Sequence, residues 1–406
     1  MTPKVLFFAE AVTSAHLFRP FWFAEKMANL GYDVHLATTQ NHSILQTAPK
    51  VTIHELNGGV SSQLFLDSIR KGEIPFTEKV VKHNLKQDID VIKKVQPDFI
   101  IDDFRLSSSM ASESMEIPHI TINNITWSPY WKPPYEVTPD IEIVYKFGEK
   151  IGGFLFKNLK GYFEKNILRP FNKVRNEMGL KQILSIHQLY SSGAKVGYLD
   201  ISEMNPGIQL PENHSFLGTL LFSYPISLPN WWKNVNQQKP LIYISLGSSG
   251  RAEIIPKLLE PLRNSEYEII LSTSGKNINF QPASNIYTAP YLPDREILSQ
   301  CQLYVSNGGS GGAQQALALG VPVLALPDNY DQWLYSSMLA EKKLAKVVRP
   351  STLNAKTFKH EIDLILQDSQ FQKRILPISK AMMNEDPLAN LIRFMDLTDK
   401  PQKQVA

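Results

Sequence analysis

Closely spaced glycines form the feature of this sequence that points most directly to chemistry. Residues 306–313 read Ser-Asn-Gly-Gly-Ser-Gly-Gly-Ala, after a short apolar run and before an alanine-rich stretch with helical spacing. Glycines at a helix start are costly unless the backbone must approach another group closely. Helix N-termini present unpaired N–H groups and about half a positive charge, which favours bound phosphate. The segment predicts either a diphosphate cradle or a plain strand-to-helix turn, with Ser310 capping the helix or binding a phosphate oxygen.

The residues on both sides of this glycine cluster favour the diphosphate cradle over the plain turn. It is followed in order by 320–322 (Gly-Val-Pro), Pro327 and 331–332 (Asp-Gln). This pattern resembles the donor-binding signature of family 1 glycosyltransferases, which include bacterial macrolide and other natural-product enzymes. Upstream, 246–248 (Leu-Gly-Ser) and 291–293 (Tyr-Leu-Pro) are similar to two further parts of that signature.

The resemblance implies a site for a nucleotide diphosphate sugar. Tyr291 and Leu292 would hold the base, and the glycine cluster would hold the diphosphate. Asp331 and Gln332 would bind sugar hydroxyls, because a carboxylate and an amide together accept from and donate to adjacent hydroxyls. Asp331 has an alternative role as a helix N-cap. The implied donor-binding residues are Gly247, Ser248, Tyr291, Leu292, Asn307, Gly308, Gly309, Ser310, Gly311, Gly312, Gln315, Asp331 and Gln332.

Four positions depart from the family pattern. Asn307 stands in place of a histidine, and Gly312 replaces a threonine or serine. Gln315 replaces a glutamate that grips the ribose, and Asp294 replaces a glutamine near the base. These changes leave donor identity and affinity open. They also leave an alternative, in which the chain is a non-catalytic homologue that binds and activates a partner enzyme.

A histidine near the start of the chain is the candidate catalytic base. His16 lies between the first strand-like run and the first helical run, and its distance to Gly31 resembles the family spacing, although the family's Asn-Pro is absent. A histidine can take the proton of an attacking hydroxyl. The resemblance implies that Asp103, or as second choice Asp102, orients the imidazole. The alternative is a helix-terminal histidine without a special role.

Aromatic side chains cluster near His16 and again in a loop around residues 127–135. Flat rings suit an apolar or aromatic acceptor, and core packing is the alternative role. The candidate acceptor-binding residues are Phe18, Trp22, Trp127 and Trp131.

The order of strand-like and helix-like stretches predicts an α/β protein with doubly wound parallel sheets. We expect a Rossmann-like acceptor domain over 1–225, a proline-rich linker over 226–240 and a Rossmann-like donor domain over 241–385. Residues 386–406 would form a helix or tail able to pack on the first domain. The resemblance implies the GT-B fold, in which two such domains face each other across a cleft.

Composition excludes several classes of protein. The net charge is +3, from 42 basic and 39 acidic residues, which is too small an excess to indicate nucleic-acid binding. Cys301 is the only cysteine, so no intrachain disulfide can form, and we expect it to fill core space. We expect a cytoplasmic protein without a signal peptide or a membrane span, since the sequence has no apolar run long enough to cross a membrane.

Two charged stretches have competing interpretations. Residues 151–179 mix lysines with phenylalanines, which predicts either a helix packed on the first domain or a helix at a membrane surface. The pair Asp88 and Asp90 has the form of a metal-binding motif, but its helical context predicts a solvated face.

Together these features predict an inverting glycosyltransferase that moves a hexose from a nucleotide diphosphate sugar to a hydroxyl of a small apolar or aromatic acceptor, with His16 as general base. UDP-glucose is the default donor and a dTDP-deoxysugar the second choice. The resemblance implies that neither a metal ion nor a cofactor is needed. A lipid or sterol glycosyltransferase at a membrane surface is a further alternative.

Overall fold

The computed structural model describes residues 2–39 and 42–395, and its strands form two separate sheets. The first sheet contains β1 (Lys4–Ala9), β2 (Asp33–Thr38), β3 (Thr52–Glu55), β4 (Phe99–Asp103), β5 (His119–Asn123), β6 (Lys195–Tyr198) and β7 (His214–Phe216). The second contains β8 (Leu241–Ser245), β9 (Glu268–Ser272), β10 (Ile286–Ala289), β11 (Leu303–Ser306), β12 (Val323–Ala325) and β13 (Ala345–Val347).

Both sheets have the doubly wound order. The first runs β3-β2-β1-β4-β5-β6-β7 and the second β10-β9-β8-β11-β12-β13, with parallel pairing throughout. The winding direction reverses between β1 and β4 in the first sheet, and between β8 and β11 in the second. Ligands of such sheets bind beyond the carboxyl ends of the strands at this reversal. The predicted two-sheet α/β class is confirmed.

Helices connect the strands and cover the sheets. They are α1 (Ser14–Asn29), α2 (Ser62–Arg70), α3 (Glu78–Val95), α4 (Ser108–Ser114), α5 (Glu142–Glu177), α6 (Ile186–Tyr190), α7 (Ile255–Leu259), α8 (Asp294–Leu298), α9 (Ser310–Ala318), α10 (Tyr330–Glu341), α11 (Ala355–Gln367), α12 (Ser369–Asn384) and α13 (Pro387–Phe394). None of these helices combines the length and the apolar character needed to cross a membrane.

The central strands are buried on both faces. Every residue of β8 and of β9 is buried, and β1 is buried except at Lys4. Continuous apolar runs of this kind are typical of parallel strands covered by helices on both sides. The core strands therefore fix where the two reversal points, and the loops beyond them, lie.

The last described helix returns to the first sheet. Leu391 and Met395 are buried in the same apolar cluster as Val5 and Leu17 of the first half. Asn390 Nδ2 also donates to the carbonyl of Leu217 at 3.0 Å. Residues 396–406, which belong to the predicted tail, lie outside the described residues.

One prediction about the first half is wrong. Asp88 does not lie on a solvated face but is fully buried, where its Oδ1 accepts from Arg105 Nε at 2.9 Å. Arg105 also contacts Glu10 at 2.5 Å. Burial raises the pKa of Asp88 to about 6 although Arg105 lies beside it. Asp90, two residues further along α3, is exposed as predicted.

Candidate active site

His16 and Asp103 meet at the reversal point of the first sheet. Asp103 is the last residue of β4, and His16 lies in the first turn of α1, which follows β1. The imidazole Nδ1 is 2.6 Å from Asp103 Oδ1. The carboxylate side chain is 1% exposed and that of His16 is 21% exposed, so the imidazole faces the cleft while its partner does not. Asp102, the second choice, instead accepts from His119 Nε2 at 2.8 Å.

Two neighbours hold this pair in place. The ring of Phe104 stacks on that of His16, with centroids 4.5 Å apart and planes inclined by 18°. Arg19, one helical turn after His16, donates from Nη2 to Asp103 Oδ1 at 2.8 Å. Burial alone would raise the pKa of Asp103, but the charges and hydrogen bonds of Arg19 and His16 hold it below its ordinary value. Asp103 therefore stays ionised.

Sequence reasoning missed the role of Arg19. Its Nη1 donates at 2.9 Å to Asn124 Oδ1, which also accepts from Ser310 Oγ at 3.0 Å. Asn124 follows β5, and Ser310 opens α9 in the second half, so these contacts join His16 and Asp103 to the glycine cluster across the cleft. A single arginine within the apolar first half of α1 is the signal that the sequence offered for it.

The glycine cluster occupies the reversal point of the second sheet, between β11 and α9. The first amides of a helix have no partner within it, and here they belong to Ser310, Gly311 and Gly312. A Cβ at Gly311 would meet nothing within 4 Å, which leaves room beside these amides. Gly308 has a different reason to be glycine: its φ is +71°, and a Cβ there would lie 2.0 Å from Ser336 Oγ.

Ser310 does not cap α9, which corrects one of its two predicted roles. The N-cap residue of α9 is Gly309, without a side-chain cap bond, and the Ser310 hydroxyl is engaged with Asn124. The N-cap alternative for Asp331 is also wrong, because Asn329 caps α10 by accepting from the amide of Gln332.

Asp331 and Gln332, which are predicted to bind the sugar, lie in different environments. Asp331 faces the cleft, and its Oδ1 accepts from Trp127 Nε1 of the first half at 2.6 Å. Gln332 is 2% exposed; its Oε1 accepts from the amide of Asp328 at 2.8 Å, and its Nε2 donates to Ser249 Oγ at 3.0 Å. The geometry therefore favours Asp331 for a sugar hydroxyl and gives Gln332 a supporting role.

The structure also shows what surrounds the residues that depart from the family pattern. Asn307 holds the turn, since its Oδ1 accepts from the amide of Gly309 at 3.2 Å and its Nδ2 donates to Ser249 Oγ at 3.1 Å. Gln315 faces the cleft, and its buried Oε1 has no hydrogen-bond partner among the described residues. A Cβ at Gly312 would lie 2.9 Å from the hydroxyl of Tyr304. These side chains leave the amides of the cluster accessible.

Asp294 lines the cleft near Tyr291, where the sequence predicts that the base binds. Its Oδ1 accepts from the hydroxyl of Tyr243 at 2.5 Å. Burial raises the pKa of Asp294 to about 6, with no cation beside it to oppose the shift. Tyr291, 39% exposed, also lines the cleft, whereas Leu292 is buried and does not.

A cavity of about 660 Å³ lies between the two halves. His16, Gly247, Ser248, Tyr291 and Asp331 line it together with Asn307, Gly309, Ser310, Gly311, Gly312, Gln315 and Gln332. The predicted Gly308 and Leu292 do not line it. Ser248 Oγ accepts from the amide of Ser14 at 3.2 Å, so the two reversal points face each other closely.

The apolar part of this cavity corrects two acceptor predictions. Phe18 and Trp127 line it, but Trp22 and Trp131 do not. Trp22 lies one helical turn beyond Phe18 along α1, in edge contact with Phe23, and Trp131 is 9% exposed in the core of the first half. The apolar walls come instead from elements that the aromatic count did not single out, including Phe65, Ile69, Phe104, Phe156, Phe163 and Ile167.

Comparison with known proteins finds a matching family model and similar glycosyltransferases. A family model described as "Erythromycin biosynthesis protein CIII-like, C-terminal domain" matches residues 256–390. A "PGL/p-HBAD biosynthesis glycosyltransferase" of Mycobacterium tuberculosis (strain ATCC 25177 / H37Ra) is 28% identical over 93% of this chain and 88% of its own length. A "PGL/p-HBAD biosynthesis rhamnosyltransferase" of Mycobacterium bovis (strain BCG / Pasteur 1173P2) is 27% identical, over 93% and 84%. An "inactive" glycosyltransferase of the same strain is 28% identical over 64% and 70%.

Solved structures agree in fold. A calicheamicin glycosyltransferase superposes with a TM-score of 0.72 at 13% identity, covering 98% of this chain and all of that one. The glycotransferase of kitacinnamycin has a TM-score of 0.71 at 16% identity, covering 98% of each chain. Spinosyn rhamnosyltransferase SpnG, complexed with thymidine diphosphate, has a TM-score of 0.66 at 15% identity, covering 97% and 100%. The resemblance predicted from the sequence is confirmed.

Proposed function

We propose that the chain, which is similar to glycosyltransferases over most of its length and to the EryCIII-like C-terminal domain over residues 256–390, transfers a hexose from a nucleotide diphosphate sugar to a hydroxyl of an apolar or aromatic acceptor. The observation that carries the proposal is the pairing of His16 with Asp103 directly across the cleft from the glycine cluster. A base and an anion cradle then lie on opposite sides of one cavity, as a displacement at the anomeric carbon requires.

The reaction is a single in-line displacement. His16 takes the proton of the acceptor hydroxyl as its oxygen attacks the anomeric carbon, and the carbon–oxygen bond to the diphosphate breaks on the opposite side. The configuration at that carbon is inverted. Asp103, kept ionised by Arg19, orients the imidazole and stabilises the imidazolium that forms.

The leaving diphosphate is stabilised by the first amides of α9, at Ser310, Gly311 and Gly312. These donors are fixed before the reaction and need no reorganisation when charge develops. In this proposal backbone amides take the place of a divalent cation, so a chelator such as EDTA should leave turnover unchanged. Loss of activity on chelation that Mg²⁺ restores would contradict this part of the proposal.

The donor is a sugar on UDP or dTDP. UDP-glucose is the default from the sequence, while the rhamnosyltransferase names among the relatives and the thymidine diphosphate complex of a structural neighbour support a dTDP-deoxysugar as well. The unpartnered Oε1 of Gln315 accepts from a ribose hydroxyl in this arrangement, and Asp331 accepts from a hydroxyl of the sugar.

A non-catalytic role is the second candidate, and two observations favour keeping it. One relative carries the word inactive in its name, and the amide of Asn307 bonds to Ser249 rather than pointing freely into the cavity. A purely binding homologue would hold a nucleotide without releasing it from a sugar.

A direct assay separates the two. The purified chain is incubated with UDP-glucose, with dTDP-rhamnose and with dTDP-glucose, and released UDP or dTDP is measured with and without phenolic acceptors. The transferase predicts nucleotide release from at least one donor, together with an acceptor whose mass increases by one sugar. Nucleotide binding without release from any donor would instead support the non-catalytic candidate.

A further inference from the structure

Exposed apolar side chains are concentrated on the outer face of α5. Among the described residues seventeen large apolar side chains are exposed, and six of them lie between residues 145 and 162, four of these after the break in α5 at Gly148. The three most exposed of these are Phe154 at 67%, Tyr162 at 63% and Ile151 at 60%. Scattered exposed apolar residues need no explanation, but four within residues 151–162 of one helical segment indicate a binding surface.

These residues share one stripe of the helix. Phe154 follows Ile151 by three residues, and Tyr162 follows Phe154 by eight, which is two steps of four. Lys165 and Arg169 continue the same stripe at spacings of three and four. Residues at such spacings lie one above another on a helix. We call this stripe, together with the flanking Lys150 and Lys157, the outer stripe of α5.

Basic side chains outnumber acidic ones in the segment that carries this stripe, although Lys160 lines the cavity on the opposite face and Lys146 precedes the break at Gly148. Residues 142–169 contain six basic and three acidic side chains, an excess equal to the net charge of +3 of the whole chain. Glu164 points away from the outer stripe and accepts from the amide of Ile186 at 2.7 Å, and Glu149 is paired with Arg349 at 3.1 Å. The exposed charges that remain beside the apolar side chains are therefore mostly positive.

The opposite face of the same helix borders the candidate active site. Phe156, Phe163 and Ile167 line the cleft cavity, and the C-terminal part of α5 is fixed to the first half through the buried Leu168 and Phe171. A substance bound against the outer stripe is thus separated from the cavity by the width of one helix.

We propose that the outer stripe of α5 docks the protein on the surface of a bilayer that contains anionic lipids. Aromatic and aliphatic side chains flanked by lysines suit the boundary between headgroups and acyl chains, where the rings enter the apolar layer and the ammonium groups meet lipid phosphates. A second copy of this chain fits the surface less well, because two such basic stripes repel each other. The proposal does not depend on the transferase activity.

Flotation of the full chain with vesicles tests the proposal. One set of vesicles is phosphatidylcholine alone, and the other contains one third phosphatidylglycerol. We expect more than about 25-fold tighter binding to the anionic vesicles, weakened by high salt, since each basic residue near such a surface contributes about fivefold to binding. Equal recovery of the protein with and without anionic vesicles would overturn the proposal.

Matched variants assign the binding to this surface. The double variant Ile151→Ser/Phe154→Ser should lose at least tenfold of the binding, and Lys150→Gln/Lys157→Gln should lose about 25-fold on anionic vesicles only. The controls on α12 are Leu376→Ser and Lys373→Gln/Lys380→Gln, which alter exposed side chains of the same types and should bind as the unmodified chain does. Unchanged binding by the α5 variants would overturn the proposal.

Two further measurements keep the result unambiguous. Because the substituted side chains are exposed, the melting temperature and the nucleotide release in the absence of lipid should match those of the unmodified chain. Sedimentation velocity without lipid should show the same species for the chain and its Ile151→Ser/Phe154→Ser variant. A dimer that this variant abolishes, without vesicle binding by the unmodified chain, would show that the stripe binds a second copy and would overturn the proposal.

Discussion

The two reversal points of the sheets contain buried carboxylates whose pKa values shift in opposite directions. Asp103, at the first, has Arg19 and His16 beside it, and its pKa is lowered. Asp294, at the second, has the hydroxyl of Tyr243 as its partner, and burial raises its pKa to about 6. The first region contains charged side chains held together by ion pairs, whereas the second presents the amides of the glycine cluster, the neutral Gln315 and the carboxylate of Asp331 to the cleft. The two regions should therefore respond differently to substitution.

Replacement of the base tests the first region most directly. His16→Ala should lower kcat by about 10²- to 10⁴-fold, because the acceptor hydroxyl loses its proton acceptor. Donor affinity, measured by calorimetry, should stay the same, because the amides of the glycine cluster are untouched. His360→Ala, at an exposed position of α11, is the control and should keep full activity. Full activity of His16→Ala would rule out His16 as the base.

The pH dependence of stability tests the opposite shift in the second region. Asp294 holds a proton in the folded chain between its ordinary pKa of 3.8 and about 6, a range in which the unfolded chain has released it. Its contribution to stability therefore falls as the pH rises through this window. Asp294→Asn cannot ionise and still accepts from Tyr243, so it should gain up to about 3 kcal/mol of unfolding free energy relative to the unmodified chain between pH 4 and pH 7.

Urea unfolding of both chains at several pH values between 4 and 8 measures this gain. Asp90→Asn, at an exposed position of α3, is the control and should show no comparable trend. A gain for Asp294→Asn that does not vary with pH would contradict the raised pKa.

Two glycines of the cluster should separate folding from binding. Gly308→Ala should lower the unfolding free energy by about 2 kcal/mol, because its φ is positive and the new Cβ meets Ser336. Gly311→Leu should leave the melting temperature nearly unchanged, since a Cβ there meets nothing, but raise the Kd for UDP or dTDP at least tenfold by filling the cradle. Thermal unfolding and calorimetry report the two effects. Unchanged nucleotide binding by Gly311→Leu would place the diphosphate elsewhere.

The smallest expected effect concerns the sugar. Asp331→Ala should lower kcat/KM for the donor about tenfold, the cost of one lost hydrogen bond to an ionised group, with the Kd for the free nucleotide within about twofold. Asp331→Asn still accepts from Trp127 and so isolates the loss of charge from the loss of that contact. Equal losses of sugar donor and free nucleotide would contradict a role at the sugar.

Much of the fold follows from the sequence because its central strands are continuous apolar runs. The short apolar runs at 4–9, 33–38 and 268–272 predict strands, and β1, β2 and β9 begin and end at those residues. β3, β6, β7, β10 and β13 have no such run to predict them: each has only three or four residues, which polar residues or glycine interrupt, as in Thr-Ile-His-Glu of β3 and His-Ser-Phe of β7. Their pairing comes from the neighbouring strand rather than from a pattern of their own.

Residues of the site could be predicted where a sequence motif identifies them. They could not be predicted where contacts between distant parts of the chain decide where a side chain lies. The family resemblance implied that Asp103 orients His16, and the structure brings the two side chains together. That Trp22 would miss the cavity, although it shares a face of α1 with Phe18, depends on how far along α1 the cavity extends. That Asp88 would be buried depends on Arg105, which lies 17 residues away along the chain. Neither contact has a signature within a short stretch of sequence.

The double hydrogen bond to Asn124 has a consequence for protein engineering. Its side-chain oxygen receives Arg19 from the first half and Ser310 from the second. In a chimaera that joins the second half of a relative to this first half, Arg19 remains as one donor to that oxygen, whereas the residue at position 310 comes from the relative. Such a graft must keep a hydroxyl at position 310, or change position 124 with it, for the exchanged halves to meet as the native ones do.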